Sequence, residues 1–255
     1  MPTVTAIPAF RDNYIWAIHD NKHAIVVDPG EAGPVEAFLT ERGLELVAVL
    51  ATHHHPDHVG GIADLIAHRA ISVYGPAGEN ISTLTHRLKE NDEAVIAELD
   101  LHFRVLDIPG HTAGHIAFYG HGMLFCGDTL FACGCGRLFE GTPAQMVSSL
   151  TKLTALPDET QVYCGHEYTL ANIRFALAVE ANSAPLKQRE VTDAQKRERG
   201  EPTLPSTIGL ELQTNPFLRY QEPTVIEAAS KYAGRKLTDA VETFTVIREW
   251  KNQFS

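Results

Sequence analysis

Positive charge is scarce in this chain: 21 lysines and arginines stand against 32 aspartates and glutamates, a net charge of -11 with histidine neutral. General nucleic-acid binding rests on cationic contacts with phosphate, so no nucleic acid is expected as a partner. Long apolar runs are missing as well. No stretch reaches the ~18 uninterrupted apolar residues of a membrane span, and the N-terminus has no basic segment followed by an apolar one. No membrane partner is therefore expected, and the expected compartment is the cytoplasm. Cysteine is rare: Cys126, Cys133, Cys135 and Cys164 form neither a CxxC pair nor a disulfide framework, which suits a reducing compartment. They read as small buried residues. With 255 residues the chain has enough length to bury a substantial core, as one large domain or one domain with an appendage.

Histidine, by contrast, is concentrated in one place. The stretch THHHPDHVGG, residues 52–61, follows an apolar run, LVAVLA at 46–51, that reads as a buried strand. The imidazoles therefore begin where the strand stops, at the kind of position where side chains from several segments of a layered α/β protein converge. Imidazole and carboxylate suit zinc and its first-row neighbours. In extended chain, residues two apart point the same way, so His53 and His55 can reach one metal ion while His54 points away and reads as structural. Pro56 ends the strand and puts Asp57 and His58 on a turn that can face a second ion.

The rest of the chain places further motifs. Residues 4–10, 13–20 and 23–27 read as strands, with Asp28, Pro29 and Gly30 as a strand-ending turn. A short helix over 35–42 closes at Gly43, the glycine pair at 60–61 leads into a helix over 62–69, and 72–75 is another strand. Residues 79–98 are polar and get no assignment. From 101 to 131 strand follows strand, with His111 and Asp128 beside turns. A helix is expected over 143–156, N-capped by Thr142 with proline at its first position, and a last strand over 161–164 runs straight into His166. Beyond this, 170–179, 225–232 and 237–250 have helical patterns, while 184–200 is charged and reads equally as helix or solvated linker. The β-then-α order, repeated twice, predicts two similar halves: an α/β fold of the αββα sandwich type with the site along one edge. Residues 1–169 form the expected catalytic domain and 170–255 the expected helical one.

The HxHxDH string resembles the signature of the metallo-β-lactamase superfamily. GHTAGH at 110–115, GDTLF at 127–131, GCGRLFEGT at 134–142, YCGHEYT at 163–169, NPFLR at 215–219 and REWKNQF at 248–254 together resemble glyoxalase II, the hydroxyacylglutathione hydrolases, over essentially the whole chain. That resemblance implies two divalent ions, zinc first with iron and manganese as alternatives. His53, His55 and His111 would hold one, Asp57, His58 and His166 the other, and Asp128 would bridge. A metal-bridged hydroxide would attack S-lactoylglutathione, releasing D-lactate and glutathione in methylglyoxal detoxification, with Asp57 and Asp128 as catalytic residues. His115 would support the site without ligating. Arg137, Tyr168, Arg248 and Lys251 match the family's glutathione-binding positions, so a local concentration of cations, against the overall charge, is expected; a monomer is the default expectation. Phe139 departs from the family's usual tyrosine, and Arg137 from its usual lysine. A glutathione persulfide dioxygenase of the same fold would not need Asp57, His58 and His166. A β-lactamase would normally carry an export signal, a nuclease would sit poorly with the acidic charge, and a non-catalytic metal-binding protein would not need the complete ligand set.

Overall fold

A computed structural model describes residues 2–254. The first half of the chain builds a mixed sheet whose six strands lie in chain order: β1 (Thr3–Ala9), β2 (Asn13–His19), β3 (His23–Val27), β4 (Glu45–Leu50), β5 (Ser72–Pro76) and β6 (His86–Leu88). β1 to β3 form an antiparallel meander, and β4, β5 and β6 each run parallel to the strand before. Alternate side chains point to opposite faces of a strand. Trp16, Ile18, Ile25, Val27, Ala48 and Leu50 accordingly join the core between the sheets, while Ile15, Ala17, Ala24, Val26 and Val49 pack under α1 (Ala32–Arg42) and the short α2 (Pro56–Val59) and α3 (Ile62–Ile66). With both faces covered, β2 is buried at every position. α1 ends as anticipated at Gly43, whose φ of 65° lets Leu44 N–H reach the Leu39 carbonyl at 2.9 Å.

The second sheet contains β7 (Glu93–Ile96), β8 (Leu101–Asp107), β9 (Ile116–Gly120) and β10 (Met123–Gly127). After the small hairpin of β11 (Leu130–Phe131) and β12 (Gly134–Cys135), α4 (Pro143–Thr154) crosses over to β13 (Gln161–Cys164), which lies parallel to β10. Thr142 caps α4 as expected, and Gln145 completes a reciprocal capping box. Residues 79–98, which had no assignment, hold β6 and β7, edge strands too short to show a period.

The C-terminal region is helical: α5 (Thr169–Val179), α6 (Ala184–Glu198), α7 (Ile208–Thr214), α8 (Pro223–Ala233) and α9 (Ala240–Gln253). The charged segment over 184–200 is α6 and not a linker. Its Arg189 is buried against Asp193, one helical turn on, at 3.2 Å and against Glu211 at 2.7 Å, a contact no local pattern announces. α9 starts at Ala240 because Asp239 caps it, accepting from Glu242 N–H at 2.8 Å. β14 (Ser206–Thr207), unanticipated at two residues, pairs antiparallel with β13, so the helical region lends a strand to the second sheet. One apolar cluster runs from Phe103, Phe118 and Phe125 between the sheets to Phe175, Phe217 and Phe244 under the helices. Among the described residues no helix is long and apolar enough to cross a membrane. The carboxyl ends of β4, β8, β10 and β13 lie at one edge of the sandwich, and every histidine and aspartate singled out as a ligand follows one of them.

Candidate metal centre

The first cluster is made of imidazoles alone. His55 Nδ1 lies 3.1 Å from His53 Nε2 and 3.0 Å from His111 Nε2. Their outward nitrogens fix the tautomers. The Thr52 hydroxyl donates to Asp28 Oδ2 at 2.7 Å, so its oxygen accepts from His53 Nδ1–H at 3.0 Å. His111 Nδ1–H donates to the Arg137 carbonyl at 2.8 Å. Both rings therefore turn Nε2 lone pairs inward. Burial, reinforced by neighbouring imidazoles, pushes the His53 pKa well below its usual value, and burial also lowers those of His55 and His111. Neutral imidazole is the form that ligates.

The second cluster is Asp57, His58 and His166, whose ligating atoms lie within 4.8 Å of one another. His58 Nδ1–H donates to Asp28 Oδ2 at 3.0 Å and His166 Nδ1–H to Asp12 Oδ1 at 2.9 Å, again leaving Nε2 inward. Asn13 Nδ2 donates to Asp57 Oδ2 at 3.0 Å. Asp128 faces both clusters: its Oδ2 is 3.5 Å from His111 Nε2 and 3.2 Å from His166 Nε2, and its Oδ1 is 3.4 Å from His58 Nε2. Burial opposes its charge, but His58 and His166 outweigh burial and hold the carboxyl well below the usual carboxylate range. His58 Nε2 and Asp128 Oδ1 are buried without a hydrogen-bond partner among the described residues. Orphaned inward atoms, converging lone pairs and an imidazole–carboxylate donor set are what a pair of first-row divalent ions fits.

Local sequence makes this approach possible. Pro56 opens α2 with His55 as its N-cap residue, which carries Asp57 and His58 round to the second cluster. At Gly165 an added Cβ would lie 2.6 Å from the His58 ring and 2.7 Å from Asp128 Oδ1, so only glycine lets His166 come this close. His54 points away, as expected, its Nδ1 2.9 Å from Glu79 Oε2. His115 joins neither cluster; it stacks on His53 at 4.5 Å and its Nε2 accepts from Asp128 N–H at 3.2 Å. Asp12, Asn13, Thr52 and Asp28 were not singled out from the sequence. Asp28 reads there as an ordinary turn residue, and its only signal is to follow a buried strand. In the structure it is buried at φ 53° and orients a histidine of each cluster, one of them through Thr52.

A cavity of about 480 Å³ opens beside His111 and Asp128 and is lined by Arg137, Phe139, Tyr168, Arg248 and Lys251. Tyr168 stacks flat on His166 at 4.7 Å. Lys251 donates to the Ala171 carbonyl at 3.1 Å, and burial, with the charges of Arg248, Arg174 and Arg137, brings its pKa down to about 8. Arg248, which the resemblance assigns to glutathione, lines the same pocket. It is buried, donates to the Cys135 carbonyl at 2.7 Å and lies 4.9 Å from the Phe217 ring centroid, so part of its function is internal. A larger groove of about 1010 Å³ between α5, α8 and α9 contains none of the cluster residues.

The chain matches two family models, the metallo-beta-lactamase superfamily over residues 9–166 and the hydroxyacylglutathione hydrolase C-terminus over 167–254. It is 56% identical over 254 residues to the hydroxyacylglutathione hydrolase of Nitrosomonas europaea, covering 100% of this chain and 97% of that one. Among solved structures, ETHE1 from Myxococcus xanthus superposes with a TM-score of 0.68 at 24% identity over 98% of this chain and 91% of that one, a likeness of fold. The di-iron-bound form of TTHA1623 superposes with a TM-score of 0.58 at 26% identity over 85% of this chain and 100% of that one. Imidazoles and carboxylates gathered at one edge of a two-sheet sandwich, together with a full-length match at more than half identity, make this chain a member of the hydroxyacylglutathione hydrolases (glyoxalase II) within the metallo-beta-lactamase superfamily.

Proposed function

We propose that the chain hydrolyses S-2-hydroxyacylglutathione thioesters, S-lactoylglutathione among them, to the 2-hydroxy acid and glutathione. In this reading His53, His55 and His111 hold one divalent ion, Asp57, His58 and His166 the other, and Asp128 is shared. The observation that carries it is the meeting of both clusters at Asp128 beside a pocket walled by cations. When bound, the ions supply Lewis acidity and a water acidic enough to ionise near neutral pH. Zinc is the proposed metal, and the di-iron state of the similar TTHA1623 supports two ions while keeping iron in view.

The chain's own groups do the rest. Asp57, steadied by Asn13, presents a carboxylate oxygen that can accept a hydrogen bond from the attacking water and orient it. A thiol pKa near ~8.5 makes glutathione thiolate a good leaving group, so no residue is needed to protonate it. Arg137, Tyr168, Arg248 and Lys251 hold the glutathione moiety, whose carboxylates meet a cationic wall despite the net charge of -11. Residues 1–169 thus carry the ions, and the two regions share the thiol-side binding, Arg137 and Tyr168 from the first and Arg248 and Lys251 from the second.

An assay across glutathione and coenzyme A thioesters, with metal analysis of the same sample, tests the reading. Preferential turnover of the glutathione thioester with two equivalents of metal is expected. Inactivity of the loaded protein, or oxygen uptake with glutathione persulfide in place of hydrolysis, would overturn it.

A further inference from the structure

Between Asp128 and Arg137 every residue is buried, and the backbone of each of the five residues 131–135 is held by a side chain of the helical region. Asn215 Nδ2 donates to the Phe131 and Gly134 carbonyls at 3.1 and 2.9 Å, and Asn172 Nδ2 to the Ala132 carbonyl at 3.0 Å. Cys133 N–H donates to Glu211 Oε2 at 2.8 Å, and the Cys135 carbonyl accepts from Arg248 Nη1 at 2.7 Å. The segment supplies little of this itself, since β11 and β12 are two residues each and Cys133 between them sits at φ 53°, the left-handed region.

The holding side chains are themselves fixed. Asn215 Oδ1 accepts from Phe217 N–H at 3.0 Å, which turns its amide nitrogen toward the segment. Glu211, fully buried, also accepts from Asn215 Nδ2 at 3.1 Å and from the Ser206 hydroxyl, and its charge is met by Arg189 at 2.7 Å. The segment in turn bears on both ligand clusters. Asp128 stands three residues before it, and Arg137, two residues past its end, offers the carbonyl that orients His111.

We infer that Asn215, Asn172 and Glu211 are positioning residues: they hold the backbone of 131–135 so that Asp128 and His111 meet their partners and Arg137 faces the pocket. The helical region is then part of the frame of the metal centre as well as a wall of the substrate pocket. This rests on reading Asp128 and His111 as metal ligands.

The test compares Asn215→Ala and Asn172→Ala with Arg219→Ala, which breaks the 2.8 Å pair between Arg219, in the loop after α7, and Glu180, just past α5. Each zinc-loaded full-length protein is assayed for zinc release to a chromogenic chelator, for kcat and KM, and for its urea midpoint. Asn215→Ala is expected to release zinc about 10- to 100-fold faster and to lose a similar factor in kcat/KM, the range typical of groups that orient ligands. Asn172→Ala, one bond lost, moves the same way by less. Arg219→Ala lowers the urea midpoint and leaves zinc release within about twofold, because its side-chain bonds go to Glu180 and Leu212 and not to residues 131–135. Zinc release from Asn215→Ala at the wild-type rate overturns the inference, as does equal acceleration in Arg219→Ala. If Asn215→Ala does not fold, Asn172→Ala decides on the same criteria. Failure of the wild-type protein to hold two ions would overturn the reading of the site itself.

Discussion

The two sheets furnish the candidate centre in opposite ways. The first contributes His53, His55, Asp57 and His58 from one short stretch after β4 that runs into α2, braced by Asp28, just past β3, and by Asn13 of β2. The second contributes His111, Asp128 and His166, one from each of three strand ends far apart in sequence, and the loop after Asp128 is held from the helical region. A contiguous bank takes its geometry from local backbone, whereas a dispersed bank has it only once strands, helices and buried polar contacts are all in place. The first should therefore survive damage elsewhere in the fold, and the second should not.

The largest effect expected from this contrast comes from Asp128→Ala. Hydrolysis should fall by more than about a thousandfold, as when a group stabilising the transition state is lost together with its metal. His53→Ala should be as inactive, but with a different metal count. It leaves the cluster of Asp57, His58 and His166 intact and should retain close to one equivalent, while Asp128→Ala disturbs both clusters and should retain less. Metal analysis of the two inactive proteins checks this, and two tightly held ions in Asp128→Ala would remove that residue from its shared position.

Replacing the carboxylates that aim the imidazoles comes next. Asp12→Asn touches His166 alone, whereas Asp28→Asn touches His58 directly and His53 through Thr52. Each should weaken metal binding by about 10- to 100-fold, Asp28→Asn more than Asp12→Asn, as chelator competition will show. Equal losses would mean that the Thr52 relay does not matter.

These residues also mark what a sequence reader can see. HxHxDH after an apolar strand is legible because its chemistry is compressed into a few positions and strand alternation sorts His54 from its neighbours. His111, Asp128 and His166 come into view only through resemblance of whole motifs, since nothing local distinguishes His111 from His115. Asp12 looks like an ordinary turn residue between strands, Asn13 like the first residue of a strand, and Asp28 like any aspartate before Pro-Gly. What sets them apart is a hydrogen-bond partner 24 to 154 positions away. The sandwich order was readable from alternating patterns, but β14 was not. The burial of Arg189 was not either, because it depends on Glu211, 22 positions on, and charge composition reports only how many ions there are.

On the binding side the effects should be smaller and should fall on KM. Lys251 faces Arg248 on its own helix, Arg174 on α5 and Arg137 on the loop after β12, and burial with these charges places its pKa at about 8. The group is charged below that value and neutral above it. KM for an anionic glutathione thioester should therefore be flat below about pH 7.5 and rise above pH 8, with most of the rise absent in Lys251→Met. Loss of one charged contact makes the plateau-to-plateau change about tenfold. A KM that stays level to pH 9.5 would mean that Lys251 does not meet a substrate carboxylate.

Phe139→Tyr should give the smallest change, and it bears on the same contrast. The ring is 63% exposed at the pocket, edge-on to His55 at 5.6 Å and His111 at 5.3 Å, just beyond the loop held by the helices. A phenolic oxygen there adds one hydrogen-bonding group toward the bound glutathione at little steric cost, because the ring edge already faces solvent. A single net hydrogen bond of about 0.5–1.5 kcal/mol lowers KM by a factor of about 2 to 10, and kcat should hold because the contact is to the part of the substrate that does not react. If kcat moves instead, the ring acts through the imidazoles it packs against, and the boundary between a rigid catalytic bank and an adjustable binding bank runs on the far side of Phe139.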